Sequence, residues 1–141
     1  MRPEELIAMA EKAMMMAYAP YSGYFVGAAL LTKSGKLYTG CNIENAAFSP
    51  SICAERTALF KAVSEGEREF AALAVCGGKH GEIKGAFPPC GVCRQALREF
   101  CSPEMPVYLD LGSGKYDALT LGDLLPYAFN AEENMSEGER T

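Results

Sequence analysis

Positive charge is scarce in this sequence. Its 141 residues include 13 Lys and Arg against 18 Asp and Glu, which gives a formal net charge of -5. Proteins that hold the phosphate backbone of DNA or RNA without regard to sequence need clustered Lys and Arg. The composition therefore excludes a general nucleic-acid-binding protein, and we expect no nucleic-acid partner, although a small basic pocket can lie within an acidic whole.

Long apolar runs are also missing. Glu4, Glu5, Glu11 and Lys12 interrupt the N-terminal stretch MRPEELIAMAEKAMMMAYAP, so it lacks the apolar core of a signal peptide. No segment approaches the ~18–20 apolar residues of a membrane span. We therefore expect a cytoplasmic protein that makes no membrane contact. Thiols stay reduced in that compartment, so the six cysteines are predicted to be metal ligands or buried apolar residues rather than disulfides.

The rest of the composition is typical of one globular domain, with 49% hydrophobic and 22% charged residues and no internal repeat. Apolar residues at helical spacing over residues 4–18 predict a first helix that ends before Pro20. The runs YFVGAALLT (24–32) and KLYTGCNIE (36–44) predict two strands joined by a hairpin turn at Ser34-Gly35.

The second half of the chain predicts alternating helices and strands. Pro50 and Ser51 are expected to begin a helix that ends near Gly66, and further elements follow: strands over 70–76, 106–111 and 115–120, a helix over 91–101, and a short helical turn over 121–129. Strands separated by helices predict crossover connections with parallel pairing. We therefore expect an α/β fold, a three-layer α/β/α arrangement with a mixed sheet of about five strands. Residues 1–129 would form the single catalytic domain, and the polar residues 130–141 a flexible tail.

Two cysteine clusters stand out. Cys90 and Cys93 form a C-x-x-C at a junction between a loop and a helix, which alone fits either a redox pair or half of a zinc site. Cys53 lies at the start of the preceding predicted helix, so all three cysteines lie at or near the N-terminus of a helix. Helix N-termini stabilise thiolates through their free N–H groups and the helix dipole. Two such termini lying side by side would present three thiolates to one metal ion.

The number of ligands favours a catalytic metal. Cys41, Cys76 and Cys101 fall in apolar strand runs or at a helix end, where small buried residues are expected. Three protein ligands leave zinc one open position for water, whose pKa zinc lowers toward ~7. Glu55 lies two residues after Cys53, which allows its carboxylate to move protons between that water and a substrate. A solvated helix glutamate is the alternative interpretation.

These motifs carry a family resemblance. The segments CAERTALFKAVSEG and PCGVCRQ, preceded by VGAALLT and GCNIENA, closely resemble the small homotetrameric cytidine deaminases from about Tyr18 to Phe129. The combination of [H/C]-A-E with P-C-x-x-C is the signature of the zinc deaminases. The segments CNIEN and CRQ are similar to the branch that acts on free nucleosides.

The resemblance implies roles for individual residues. Cys53, Cys90 and Cys93 would bind Zn²⁺, with Glu55 as the catalytic proton shuttle. Arg56 would hydrogen-bond the zinc thiolates.

Substrate-binding residues are implied in the same way. Asn42 and Glu44 would hold the ribose hydroxyls, although a turn at the end of a strand is the plain interpretation of these two residues. The backbone at Ala54 would meet the pyrimidine carbonyl, and the aromatic Tyr24 would line the base pocket. Phe129 would reach into the pocket of a neighbouring subunit.

Two aromatic positions depart from the family pattern. Tyr24 stands where Phe is common and is followed by Phe25, and strand alternation allows only one of the two rings to face the base. Phe48 stands where many members carry Tyr. These departures affect the geometry of the pocket and not the expected reaction.

The activity implied by the resemblance is hydrolytic deamination of cytidine and 2'-deoxycytidine to uridine and 2'-deoxyuridine, with release of ammonia, in pyrimidine salvage. Zinc-activated hydroxide would attack the base, and the enzyme would be a cytoplasmic homotetramer acting on a small nucleoside. One alternative is a deaminase of modified nucleosides or of nucleotides, the latter needing extra cationic residues for phosphate. Another is a structural zinc module, which needs a fourth ligand and a basic face.

Overall fold

The structure of the chain, a computed structural model, describes residues 1–135. Its elements follow one another in this order: α1 (Pro3–Met14), β1 (Tyr24–Thr32), β2 (Leu37–Cys41), α2 (Ala54–Ser64), β3 (Phe70–Lys79), α3 (Gly91–Phe100), β4 (Pro106–Gly112), β5 (Lys115–Thr120), α4 (Leu121–Leu124) and α5 (Ala131–Asn134). In this described part we find no helix with the length and apolar character that crossing a bilayer requires.

The strands form one five-stranded sheet in the order β2-β1-β3-β4-β5. β1 runs antiparallel to both of its neighbours, β3 and β4 are parallel, and β5 returns antiparallel to β4. The parallel pair is the one joined through a helix, α3, as a crossover connection requires. The predicted mixed sheet is therefore confirmed.

Helices cover both faces of this sheet. α1 packs on one face through a stripe of buried residues that includes Leu6, Ala10 and Met14. α2 and α3 pack on the other face, where Leu59 and Leu97 are fully buried in the larger core cluster. The predicted three-layer α/β/α arrangement is confirmed, and it leaves the N-termini of α2 and α3 on the same side of the sheet.

The first helix is shorter than predicted. α1 ends at Met14 rather than continuing to residue 18. Tyr18 forms an isolated bridge with Ile43, and its backbone N–H donates to the carbonyl oxygen of Asn42 at 3.0 Å. This pairing holds the chain in an extended conformation between the helix and β1. The partner Asn42 is 24 positions away, so the helical periodicity of residues 4–18 could not predict the pairing.

The helix α2 also begins later than predicted, at Ala54 with Cys53 as N-cap instead of at Pro50 and Ser51. Ile52 pairs antiparallel with Ile43 through two backbone hydrogen bonds of 3.0 Å. Because this pairing fixes Ile52 in an extended conformation, the helix cannot start before it.

Part of the tail that was predicted to be flexible is helical. Ala131–Asn134 form the short helix α5, and the side chain of Asn130 caps it by accepting a hydrogen bond from the backbone N–H of Glu133 at 3.0 Å. The remainder of the predicted tail, residues 136–141, lies outside the described residues.

A buried carboxylate lies under α1. Asp110, at the end of β4, is only 2% exposed; its Oδ1 accepts from the Gly112 N–H at 2.8 Å, and its Oδ2 has no partner among residues 1–135. Glu11 of α1 faces the same small hollow, which Glu4 and Lys115 also line. Its closeness to the Asp110 carboxyl, together with burial, raises the pKa of Glu11 to about 7.

This carboxyl pair predicts a pH dependence of stability. The folded-state pKa of Glu11 lies above its ordinary value near 4.5, so the protonated side chain stabilises the folded protein. This contribution to the free energy of unfolding is full below pH ~4.5 and is lost as the pH rises through about 7. Glu11→Gln keeps a hydrogen-bond donor and removes the charge. We expect it to raise the free energy of unfolding at pH 8 by about 1 kcal/mol, a figure discounted for solvent screening, and to change it little at pH 4.5. Denaturant unfolding at both pH values, with the exposed Glu99→Gln as control, measures this, and an equal effect at both would contradict it.

Candidate active site

The N-termini of α2 and α3 meet beside the end of β2. Gly40 in β2 makes this possible, because a Cβ at that position would lie 2.5 Å from the carbonyl oxygen of Ala54 and 2.7 Å from the backbone nitrogen of Ala58. The first turn of α2 therefore packs directly on the strand. Cys53 is the N-cap of α2 and Cys90 the N-cap of α3.

The structure brings three of the predicted site residues together at this junction. The sulfurs of Cys53, Cys90 and Cys93 all lie within 4.8 Å of one another, and the Cys53 and Cys90 sulfurs are 3.6 Å apart. Within residues 1–135 no other group of three potential ligands converges in this way. Three converging soft sulfur donors fit zinc, and they leave a fourth coordination position free for a water or substrate.

Arg56 contacts two of the three sulfurs directly. Its Nε donates to the Cys93 sulfur and its Nη2 to the Cys53 sulfur, both at 3.4 Å. Hydrogen bonds from Cys93 and from Arg56 lower the pKa of Cys53 to about 5. The same contact with Cys53, together with burial, raises the pKa of Cys93. At least one thiolate is therefore present at neutral pH, and metal binding would convert the remaining thiols.

Glu55 is the buried carboxylate of this junction. It is 3% exposed, and its Oε1 has no hydrogen-bond partner among residues 1–135. Burial, with a smaller contribution from the nearby Cys53 thiolate, raises the pKa of Glu55 to about 7. A buried carboxyl without a partner costs folding free energy, and a pKa near neutrality suits a group that both accepts and donates protons.

A cavity of about 330 Å³ opens in front of these groups. This volume lies at the lower end of the range of small-molecule sites. Its wall includes all but two of the ten predicted site residues, namely Tyr24, Asn42, Glu44, Cys53, Ala54, Glu55, Arg56 and Cys90. Cys93 lies behind the wall with its sulfur in the cluster. Phe129 is the one predicted site residue that the structure does not bring to this cavity.

The two aromatic residues at the start of β1 face opposite ways. Tyr24 lines the cavity and stacks on Phe87, with ring centroids 5.8 Å apart. Phe25 packs with the α1 side of the sheet and contacts His80 edge-on. Alternation predicted that only one ring could face the cavity, and packing against α1 determines that it is Tyr24.

Asn42 ties the cavity wall to β1. Its Oδ1 accepts from the Val26 N–H at 2.9 Å, and its Nδ2 donates to the Tyr24 carbonyl oxygen at 2.8 Å. An amide group has two N–H donors and two acceptor lone pairs. One of each therefore remains available to a ligand after the wall has been fixed.

Glu44 is held by backbone and hydroxyl donors. Its Oε1 accepts from the N–H groups of Tyr21 and Ser22 at 3.0 Å each, and its Oε2 accepts from the Ser22 hydroxyl. The hydrogen bonds from Ser22 lower the pKa of Glu44, so this residue is a carboxylate at neutral pH.

Phe129 and Phe48 both lie outside the cavity. Phe129 follows α4 and is 59% exposed, and its carbonyl oxygen accepts from Gln95 of α3 at 2.9 Å. Phe48 is 71% exposed in a left-handed conformation (φ 61°) and packs edge-on against Tyr21 over an adjacent hollow.

Phe87 and Ser22 are among the residues of the site that were not found from the sequence. Phe87, three residues before Cys90, could have been suspected because the chain that leads into a metal loop must pass the cavity. Ser22 carries no local signal, since it lies 22 residues from Glu44, the residue that it contacts.

Comparison with known proteins places this geometry in a family. Residues 1–109 match the family described as the cytidine and deoxycytidylate deaminase zinc-binding region. The chain belongs to this family. The match covers Cys53, Glu55, Cys90 and Cys93, so the cofactor of the chain is zinc.

Curated members of this zinc deaminase family match most of the length of the chain. A cytidine deaminase from Sporosarcina psychrophila is 52% identical over 130 residues, covering 92% of this chain and 93% of that protein. A cytidine deaminase from Halalkalibacterium halodurans is 48% identical over 128 residues, covering 91% of this chain and 94% of that protein.

The fold agrees with solved structures of the same family. The 1.6 Å crystal structure of a cytidine deaminase from Burkholderia pseudomallei superposes with a TM-score of 0.84 at 48% identity, and the match covers 92% of this chain and all of that one. The predicted family membership is therefore confirmed by sequence and by structure.

Proposed function

We propose that this chain catalyses the hydrolytic deamination of cytidine and 2'-deoxycytidine to uridine and 2'-deoxyuridine, with release of ammonia, in pyrimidine salvage. The relatives that match nearly all of the chain are cytidine deaminases. The observation that carries the proposal is the buried oxygen of Glu55, which has no hydrogen-bond partner among residues 1–135 and lies in the same cavity as three converging cysteine sulfurs. A structural zinc site has no use for such a carboxylate, because it closes its fourth position with a protein ligand.

Cys53, Cys90 and Cys93 would hold the zinc ion. Zinc bound there supplies a Lewis acid that lowers the pKa of water toward neutrality. Glu55 accepts a proton from the attacking water and delivers it to N3 of the pyrimidine. The proton of the hydroxyl that water has added to C4 then passes through Glu55 to the 4-amino group. The bond between C4 and that nitrogen breaks, ammonia leaves, C4 becomes a carbonyl, and the carboxylate returns to its starting state.

The remaining wall residues orient the nucleoside. Ala54 presents its backbone to the pyrimidine carbonyl, and Tyr24 with Phe87 forms an aromatic wall for the base. Asn42 and Glu44 have hydrogen-bonding capacity left for the ribose hydroxyls after their contacts with the protein. A site built to bond hydroxyls discriminates against analogues that lack them, because the donors and acceptors that face the ligand are then unpaired.

A nucleoside suits this cavity better than a nucleotide. Among the described residues 1–135, Arg56 is the only cation that lines the cavity, and two of its donors already point to cysteine sulfurs. The lining therefore offers no free cation to a 5'-phosphate.

A direct assay tests the proposed function. The purified protein should contain about one zinc per chain. It should also deaminate cytidine, which is measured as a fall in ultraviolet absorbance. Free cytosine should be at least ~100-fold poorer in kcat/KM, because it leaves the remaining hydrogen-bonding sites of Asn42 and Glu44 unpaired. Zinc-replete protein without cytidine turnover would refute the proposal, and equal turnover of cytosine and cytidine would refute the role of these two residues.

We further propose that the enzyme is a homotetramer in which Phe129 completes the pocket of a neighbouring subunit. Tyr127 is fully exposed and Phe129 is 59% exposed, and large apolar side chains so close together favour a contact with another chain. Closed homo-oligomers are the commonest assemblies of soluble proteins.

Phe129→Ala tests this assembly. We expect it to raise the KM for cytidine about tenfold or to shift the tetramer toward smaller species, because it removes an aromatic ring from a contact between chains. Light scattering and steady-state kinetics measure the two effects, and Phe129→Tyr, which keeps the ring, is the matched control. A parent protein that is a fully active monomer would contradict the assembly.

The location that this chemistry favours is the cytoplasm. A cluster of three cysteine sulfurs binds zinc only while its thiols are reduced, and the cytoplasm maintains that state.

A further inference from the structure

Ser22 makes an unusual set of contacts for an exposed loop serine. Its backbone N–H donates to Glu44 Oε1 at 3.0 Å and its hydroxyl donates to Glu44 Oε2, so one residue contacts both oxygens of the carboxylate. The same hydroxyl accepts from the Tyr24 N–H at 3.0 Å. We propose that Ser22 is a positioning residue that fixes the Glu44 carboxylate for the sugar of the substrate. This inference rests on the proposed function.

The direction of each hydrogen bond follows from the chemistry of the groups. A serine hydroxyl has one proton to donate and two lone pairs. The contact with Tyr24 is made by a backbone N–H, which can only donate, so the hydroxyl proton is free to point at Glu44. A carboxylate next to a hydroxyl donor gives a charge-assisted hydrogen bond, which is stronger than a neutral one.

Glu44 depends on these donors for its orientation. No ion pair holds it among residues 1–135, and it lies between β2 and α2 outside any helix or strand. Its carboxylate borders both the main cavity and the adjacent hollow. Without Ser22 it could turn toward either of them.

The carboxylate is held without being saturated. Two oxygens offer about four lone-pair sites, and the donors from Tyr21 and Ser22 occupy three of them. One site remains for a hydroxyl of the sugar. The contact with Tyr24 also links the sugar side of the cavity to the aromatic wall on the base side, through the single oxygen of Ser22.

A purely structural role for Ser22 makes a different prediction. If Ser22 only stabilised the loop, its loss would affect all substrates alike. If it orients Glu44, its loss matters only for substrates with sugar hydroxyls. The two substrates to compare are cytidine and 2',3'-dideoxycytidine, which has the same base and 5'-hydroxyl but neither ring hydroxyl.

Ser22→Ala in the full-length zinc enzyme should raise the KM for cytidine about tenfold with kcat changed less than about threefold, as expected from the loss of a hydrogen bond to a charged group. Its kcat/KM for 2',3'-dideoxycytidine should stay within about twofold of the parent. Ser22→Thr, which keeps the hydroxyl, should restore the cytidine KM, and Ser64→Ala at the exposed end of α2 should behave as the parent.

Glu44→Ala separates failure of the inference from failure of the proposed function. If Glu44→Ala leaves the KM for cytidine unchanged, the proposed sugar contact is wrong. If Glu44→Ala raises it and Ser22→Ala does not, the inference about Ser22 is wrong. Equal losses on both substrates, or no rescue by Ser22→Thr, would also overturn it. Should Ser22→Ala fail to fold, Ser22→Cys, which keeps the side-chain shape with a weaker donor, is compared on the same two substrates, and the same outcomes decide.

Discussion

Replacing Glu55 by alanine should abolish nearly all deamination while leaving the zinc and the fold in place. Glu55 lines the cavity and is not one of the three sulfur ligands, so its removal takes away the group that moves protons without removing a ligand. General acid–base groups contribute ~10²–10⁴-fold each. Since Glu55 would act in more than one proton transfer, we expect a loss in kcat of at least ~10⁴-fold.

Glu55→Gln is the sharper version of this experiment. Glutamine keeps the shape of the side chain but cannot accept a proton from water. The buried Oε1 of Glu55 has no partner among residues 1–135 and burial raises its pKa, so the native carboxylate costs stability. We expect the variant to unfold at a higher temperature than the parent at neutral pH, with a gain of about 1–2 kcal/mol.

The measurements are kcat, zinc content and thermal unfolding of the parent and the two variants. Glu99→Gln, an exposed glutamate of α3, is the matched control and should change none of the three. More than about one tenth of the parental activity in Glu55→Ala would contradict the proton-shuttle role. A loss of zinc in parallel with the activity would mean that Glu55 supports the metal and does not carry the proton.

The sequence was sufficient to predict that the three cysteines and Glu55 come together, because the spacings that place them are local. Cys53 and Glu55 are two residues apart, Cys90 and Cys93 are three apart, and each pair lies at the start of a helix. Apolar periodicity and turn residues also predicted the alternation of helices and strands, and hence the mixed sheet.

The features that the sequence did not predict depend on contacts between distant segments of the chain. The bridge between Ile43 and Ile52 sets the start of α2, and no signal around residue 50 indicates it. Strand alternation alone did not determine whether Tyr24 or Phe25 faces the cavity. Phe25 packs with α1 on the opposite face of the sheet, and Tyr24 therefore faces the cavity. The contact of Ser22 with Glu44 joins two loops that have no shared periodicity. Such features follow from tertiary packing, which a local pattern does not contain.

The second large effect is expected at Arg56. A divalent cation with three thiolates carries one excess negative charge, which opposes ionisation of water at the metal. Two helix N-termini offset part of this charge. Arg56 donates to the Cys53 and Cys93 sulfurs at 3.4 Å, so it withdraws negative charge from two of the three ligands, as outer hydrogen bonds do around other metals.

Arg56→Ala should therefore lower zinc retention and turnover together, each by ~10–100-fold, the usual cost of removing such a partner. A surface salt bridge would be worth only ~0–1 kcal/mol, and Arg56 makes no such bridge within residues 1–135. Arg68→Ala is the matched control, because within residues 1–135 Arg68 donates only to the backbone carbonyls of Val63, near the C-terminus of α2, and Glu67, just beyond it.

Adding Cys53→His tests whether charge is the cause. Histidine binds zinc as a neutral ligand, so this change removes the excess negative charge that Arg56 offsets. The double variant Arg56→Ala with Cys53→His should then retain more zinc and turn over faster than Arg56→Ala alone. Zinc content and kcat/KM of the two single variants and the double variant form a complete cycle. Losses that simply add in the double variant, or an Arg56→Ala protein that matches the parent in both measurements, would show that Arg56 does not act through the charge on the sulfurs.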